Sequence, residues 1–238
     1  MGKVLLSIDW DYFIPIKSEW CGSYLENKKS ITNLWYKRYL KSKMQGIDIQ
    51  KYMYVDKGAK SFWSTIKKIF GISKNVKLYI SDSHKLSYYI AKEYKCDKVY
   101  SFDAHSDLGY GGLKSLEFEL NCANWLGKLL KGKIIKEANI VYSKYSRETP
   151  KEFCEINNKF DVNYYNKKEI MSCSNIPLKD VQAVHICRSG AWTPPWLDDK
   201  FSKFVHNCNM NYKVIDCPVR KWNIKKLNLS QQLDYLYS

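Results

Sequence analysis

A chain of 238 residues, 45% of them apolar, is long enough to bury a full core and too apolar to stay disordered. It holds no apolar run near the roughly eighteen residues of a membrane helix, and Val4-Leu5-Leu6-Ser7-Ile8 is too short for a signal peptide, so no membrane partner is expected. Thirty-nine Lys and Arg against twenty-four Asp and Glu leave a net charge of +15, which points either to an acidic partner or to a merely lysine-rich composition; nucleic acid is the less expected partner, because the basic residues are spread along the chain.

In chain order, residues 3–9 read as a buried strand that ends in two alternate carboxylates, Asp9 and Asp11. Residues 14–57 follow, rich in aromatics and lysines (Trp20, Tyr24, Trp35, Tyr36, Tyr39, Tyr52, Tyr54), with helical spacing over 31–41. That segment is longer than a connection needs. It is either a lid or substrate-binding insertion, or a helix pair packed on the sheet. Residues 59–70 form a helix with Phe62, Trp63, Ile66 and Ile69 inward, stopped by Gly71. A second strand, 76–80, ends near His84, which opens a helix to about residue 94.

The third strand, 98–103, leads into Asp103-Ala104-His105-Ser106-Asp107. Side chains at i, i+2 and i+4 of an extended chain share a face, so Asp103, His105 and Asp107 converge at the strand end. Gly109-Tyr110-Gly111-Gly112 is a flexible loop beside them, suited to substrate contact. Helices are expected over 121–130, 150–157 and 196–207, and strands over 138–142, 181–187 and 212–217. His185 alternates with strand core residues and reads as a satisfied core histidine, and His206 as a helix-surface one.

Alternating strands and helices predict one α/β domain over residues 1–238, a three-layer sandwich with a mostly parallel sheet. The carboxyl ends of such strands lie along one edge, where ligands bind. Four carboxylates and two imidazoles (Asp9, Asp11, His84, Asp103, His105, Asp107) are too many for one ion and suit two that share bridging carboxylates. Oxygen ligands with one or two imidazoles favour Mn²⁺ or a similar divalent ion over a thiolate-loving one. The eight cysteines (Cys21, Cys96, Cys122, Cys154, Cys173, Cys187, Cys208, Cys217) include no Cys-x-x-Cys pair and read as reduced thiols of a cytoplasmic protein.

Asp103-Ala104-His105-Ser106-Asp107 resembles the Asp-Ala-His-x-Asp signature of the arginase (ureohydrolase) superfamily. Ser7-Ile8-Asp9-Trp10-Asp11 resembles its Ser-Phe-Asp-x-Asp, and Ser81-Asp82-Ser83-His84 its Gly-Gly-Asp-His. In ordinary arginases the Asp-x-Asp strand comes last; here it comes first, as in a circular permutation. That order, with Asn124-Trp125 and the later Trp192-Thr193-Pro194-Pro195, resembles an arginase-like family that includes the peptide arginases, which convert arginine side chains of ribosomal peptides to ornithine.

The resemblance implies an arginase-like fold and two Mn²⁺: one held by Asp9, His84, Asp103 and Asp107, the other by Asp9, Asp11, Asp103 and His105. It implies hydrolysis of a guanidinium to urea and an ornithine side chain, on a precursor peptide. An acidic leader on that peptide is an expectation from the net charge of +15 and the basic 14–57 segment, not from the resemblance. No histidine stands where arginases carry their proton shuttle, so that role is not carried over. A carboxylate is needed to grip the guanidinium; Glu19 and Glu26 are the candidates, with Asn124 and Ser189 as further substrate contacts. Two other classes compete: a hydrolase of a free small molecule such as arginine or agmatine, and a non-catalytic basic binding protein.

Overall fold

The structure, a computed structural model, describes residues 2–20, 26, 31–172 and 180–237. Cys21, Tyr24 and Cys173 lie outside the described residues. The strands are β1 (Lys3–Asp9), β2 (Lys77–Ser81), β3 (Lys98–Asp103), β4 (Glu137–Tyr142), β5 (Asp161–Asn166), β6 (Asp180–Cys187) and β7 (Tyr212–Asp216). They form one sheet in the order β5-β4-β3-β1-β6-β2-β7, and every neighbouring pair is parallel, so the expected mostly parallel sheet is an all-parallel one. The helices are α1 (Ile31–Met44), α2 (Ile49–Tyr52), α3 (Ala59–Phe70), α4 (Leu86–Glu93), α5 (Trp125–Lys131), α6 (Cys154–Asn157), α7 (Lys167–Ser172), α8 (Asp198–His206) and α9 (Leu229–Tyr237).

The central strands are buried on both faces, as parallel sheets with crossover helices require. On β1, Val4, Leu6 and Ile8 join a core with Phe62, Trp63, Ile66 and Phe70 of α3 and Phe201, Phe204 and Val205 of α8. Leu5 points the other way, into a second core with Ile90 and Ala91 of α4 and Trp125, Leu126, Leu129 and Leu130 of α5. Helices on both faces of one sheet make the three layers. Among the described residues, no helix is long and apolar enough to cross a membrane.

Several boundaries shift from expectation. The helix expected over 121–130 begins at Trp125, because Asn121–Asn124 form turns, and the one expected over 196–207 is preceded by a 3₁₀ turn, Pro195–Leu197. The strand β5 was not foreseen: Asp161-Val162-Asn163-Tyr164-Tyr165-Asn166 is a half-buried edge strand without a clear apolar alternation. Within residues 14–57, α1 is tied to the loop after β6. Trp35 Nε1 donates to the Gly190 carbonyl at 2.7 Å, and Arg38 to the Ala191 carbonyl at 2.5 Å. Tyr36 stacks on Trp222 and on Tyr235 of α9, with ring centroids 4.4 and 4.9 Å apart. The middle of the segment is thus a brace for a loop at the carboxyl edge of the sheet.

From β1 the chain leaves toward β2 on one side, and from β3 toward β4 on the other. The crevice beyond the carboxyl ends of β1 and β3 is therefore the switch point of the sheet, where open α/β folds bind ligands.

Candidate metal centre

The convergence of the acidic and imidazole side chains has a different local cause from the one expected. Strand alternation ends at Asp9 and at Asp103. After Asp9 the chain enters a 3₁₀ turn, Trp10–Phe13, in which Asp9 Oδ1 accepts from the Asp11 amide at 3.0 Å. After Asp103, the His105 amide donates to Asp103 Oδ1 at 2.8 Å, and Asp107 adopts a left-handed backbone with φ 54°. Asp107 is held from α5: its carbonyl accepts from the amides of Leu126 and Gly127 at 3.1 and 3.3 Å, and its carboxylate from Trp125 Nε1 at 2.6 Å. Folded turns, each closed by a carboxylate, replace an extended strand end.

His84 arrives from the end of β2 and turns Nδ1 toward three carboxylates: Asp107 Oδ2 at 2.8 Å, Asp103 Oδ2 at 2.9 Å and Asp9 Oδ2 at 3.4 Å. His105 Nδ1 faces Asp11 Oδ2 at 3.0 Å and Asp103 Oδ1 at 3.6 Å. Two groups of potential ligand atoms result, Asp9–His84–Asp103 and Asp11–Asp103–His105, each within 4.8 Å of one another, with Asp103 common to both. Its two oxygens face opposite groups, the arrangement of a bridging carboxylate. Asp9 falls in the first group alone.

The electrostatics match an ion-binding cluster. Burial, then the charges of Asp11 and Asp103, push the Asp9 carboxyl well above its usual range. Burial and Asp103 raise Asp107 in the same way. For His84, burial disfavours the charged ring, but Asp103 and Asp107 outweigh it and raise its pKa well above the ordinary value. His84 Nδ1 and Asp103 Oδ2 are both buried and, despite their 2.9 Å separation, are not aligned as a hydrogen bond. Unpaired buried polar atoms are costly, and a cation between them would satisfy both. Hard carboxylate oxygens with imidazole nitrogens suit a divalent ion of the Mn²⁺ kind. The buried Asp9, His84, Asp103 and Asp107 therefore fit the role of a metal-holding cluster.

The cluster floors a cavity of about 310 Å³ whose walls include Tyr110, Cys122, Tyr145, Arg147, Glu148, Ser189 and Trp192. Tyr110 belongs to the glycine-rich loop, which is pinned by a bond from the Gly109 amide to the Ala123 carbonyl at 2.9 Å. Ser189, with a positive φ of 50°, lines the cavity and donates to Asp9 Oδ2. Glu26 accepts from the Ser83 hydroxyl, and burial pushes its carboxyl up to about 7. Asn124 is buried behind the site, and its amide is spent on the chain: Oδ1 accepts from the Asn121 amide and Nδ2 donates to the Glu119 carbonyl. Glu19 is exposed and faces Lys17 at 3.7 Å.

A further buried carboxylate on the cavity wall, not among the candidates from the sequence, is Glu148. It lies in the loop after β4, accepts from the Ser106 amide at 2.8 Å and from the Tyr110 hydroxyl, and is raised to about 7 by burial. Its one sequence signal was position: the first carboxylate after a predicted strand, and so at the ligand edge of the sheet. No family model matches the chain, no curated protein matches it, and no solved structure matches it.

Proposed function

We propose that this chain is a two-metal hydrolase that converts arginine side chains of a ribosomally made peptide to ornithine, with release of urea. The observation that carries the reading is a shared carboxylate: Asp103 belongs to both ligand groups, whose other members, Asp9, His84, Asp11 and His105, line one cavity. Asp9, His84, Asp103 and Asp107 would hold one ion, and Asp11, Asp103 and His105 the other. A pair of divalent ions, when bound, lowers the pKa of water and so supplies hydroxide at neutral pH.

The chain's own residues would do the rest. Glu148 is oriented by the Ser106 amide and the Tyr110 hydroxyl. Its buried carboxyl is costly to ionise alone, and an entering guanidinium removes that cost by pairing with it. The rings of Tyr110, Tyr145 and Trp192 narrow the cavity and exclude water around the cation. Exposed Arg147 and Tyr54 beyond them give the remainder of a peptide something to rest on, and the net charge of +15 favours an acidic leader. One feature favours the second reading, a ureohydrolase of free arginine or agmatine: about 310 Å³ is room for a single amino acid.

Mass spectrometry after incubation with Mn²⁺ separates these readings. An arginine peptide with an acidic leader should become lighter by about 42 Da, the CH₂N₂ lost when water enters and urea leaves, and should stay unchanged with chelator. Asp103→Ala should lose most of both ions. Glu148→Gln should keep both and lose the mass change. Free arginine consumed as fast as the peptide would move the assignment to the small-molecule enzyme, and two bound ions with no mass change in either substrate to a binding protein.

A further inference from the structure

Behind His84 the space between the sheet and α4 is polar where a core is usually apolar. Ser7 on β1, Ser81 on β2, Ser87 on α4 and His185 on β6 are all fully buried. They form one continuous chain of contacts. Ser81 Oγ lies 2.9 Å from the Ser83 carbonyl and 2.8 Å from His185 Nε2. His185 Nδ1 lies 2.6 Å from Ser87 Oγ, Ser87 Oγ 2.7 Å from Ser7 Oγ, and Ser7 Oγ 2.7 Å from His84 Nε2.

One end of this chain sets the direction of every bond in it. A carbonyl oxygen only accepts, so Ser81 donates to Ser83. A hydroxyl has one proton, so Ser81 must accept from His185, which places the His185 proton on Nε2. Nδ1 of that ring then carries the lone pair and accepts from Ser87. Ser87, its proton spent, accepts from Ser7. Ser7, its proton spent in turn, accepts from His84, whose proton is therefore on Nε2. The neutral His84 ring is left with its lone pair on Nδ1, the atom that faces Asp9, Asp103 and Asp107 and lacks a hydrogen-bond partner.

We propose that Ser81, His185, Ser87 and Ser7 are positioning residues: a buried relay of fixed polarity that holds His84 in the one tautomer able to ligate a metal ion through Nδ1. It rests on the metal reading above and adds four residues that touch neither ion nor substrate. Ligating histidines depend on the partner of their other nitrogen, and loss of that partner typically weakens metal binding by about tenfold to a hundredfold. Here the partner is itself oriented from two strands away on the same face of the sheet, by a carbonyl one residue before His84.

The test combines ¹⁵N imidazole spectra with Mn²⁺ titration calorimetry on the full chain, which has four histidines to assign. In metal-free protein His185 should be the neutral Nε2–H tautomer, and in Zn²⁺-loaded protein His84 should carry its proton on Nε2. Ser7→Ala should weaken Mn²⁺ binding by about tenfold to a hundredfold, and Ser7→Thr, which keeps a hydroxyl, should restore it. Ser81→Ala is the decisive variant. It touches neither His84 nor an ion, yet it should mix the His185 tautomers and weaken Mn²⁺ binding. Unchanged affinity in Ser81→Ala, or a wild-type His185 protonated on Nδ1, would overturn the relay. If a variant does not fold, the wild-type spectra alone decide. A wild type that binds no divalent ion but shows His185 as Nε2–H would retain the relay and defeat the metal reading.

Discussion

Glu148 illustrates how one buried carboxyl links the site to stability. Burial raises its folded-state value to about 7, against 4.5 for the free group. Between those values the folded chain keeps a proton that the unfolded chain has released, so this group's contribution falls as pH rises. His84 acts in the same direction: its raised value adds stability that is full below the ordinary 6.5 and lost as pH climbs through the folded one. Asp56 and Asp97, both lowered, act oppositely at lower pH, so the clean measurement is a difference between two proteins. In chelator, urea unfolding of Glu148→Gln and wild type should diverge from pH 5 to pH 8, the variant gaining on the order of 2 kcal/mol once solvent screening at the cavity is allowed for. Parallel stability curves across that range would mean that Glu148 titrates as an ordinary surface carboxyl.

At the scale of elements, α5 makes the site as much as the strands do. Trp125 and the amides of Leu126 and Gly127 hold Asp107. Gly127 stands where α5 approaches the preceding loop most closely: an added Cβ would lie 2.2 Å from the Leu108 carbonyl oxygen and 2.7 Å from Leu116 Cδ2. Gly127→Ala must push α5 away from that loop, at a cost of about 1–3 kcal/mol for overpacking. Because the displaced element carries the partners of Asp107, Mn²⁺ binding should weaken with it. Leu129→Ala, in the same helix but facing the core, should cost about 2–5 kcal/mol through a cavity and leave Mn²⁺ affinity within about twofold. Equal effects of the two variants on affinity would show that general destabilisation, and not the hold on Asp107, governs the ion.

For the whole molecule, the excess of lysine is the property most open to two readings. If the +15 charge steers an acidic peptide, affinity for a leader rich in Asp and Glu should fall steeply as salt rises through about 0.1–0.15 M, where exposed charges are screened beyond roughly 8–10 Å. An affinity that holds across that range would assign peptide recognition to the aromatic rim at Tyr54, Tyr110 and Tyr145, and the charge to composition. Fluorescence anisotropy of a labelled peptide at several salt concentrations reads this directly.

The α/β class, the central strands and the six acidic and imidazole residues were legible in the chain because each rests on local chemistry. Apolar runs buried on both faces mark parallel strands, and Asp-x-His-x-Asp at a strand end marks a cluster. The half-buried edge strand β5 was hidden, since a strand with one neighbour and little burial needs no apolar alternation. Hidden too were Glu148 and the path from Ser81 to His84. His185 alone predicts a satisfied core histidine, and it is one; what satisfies it lies 98 and 104 residues away on α4 and β2. Only the parallel order of the sheet brings β1, β2 and β6 side by side beneath α4. The polarity of a hydrogen bond depends on which atoms meet, and that is decided by packing.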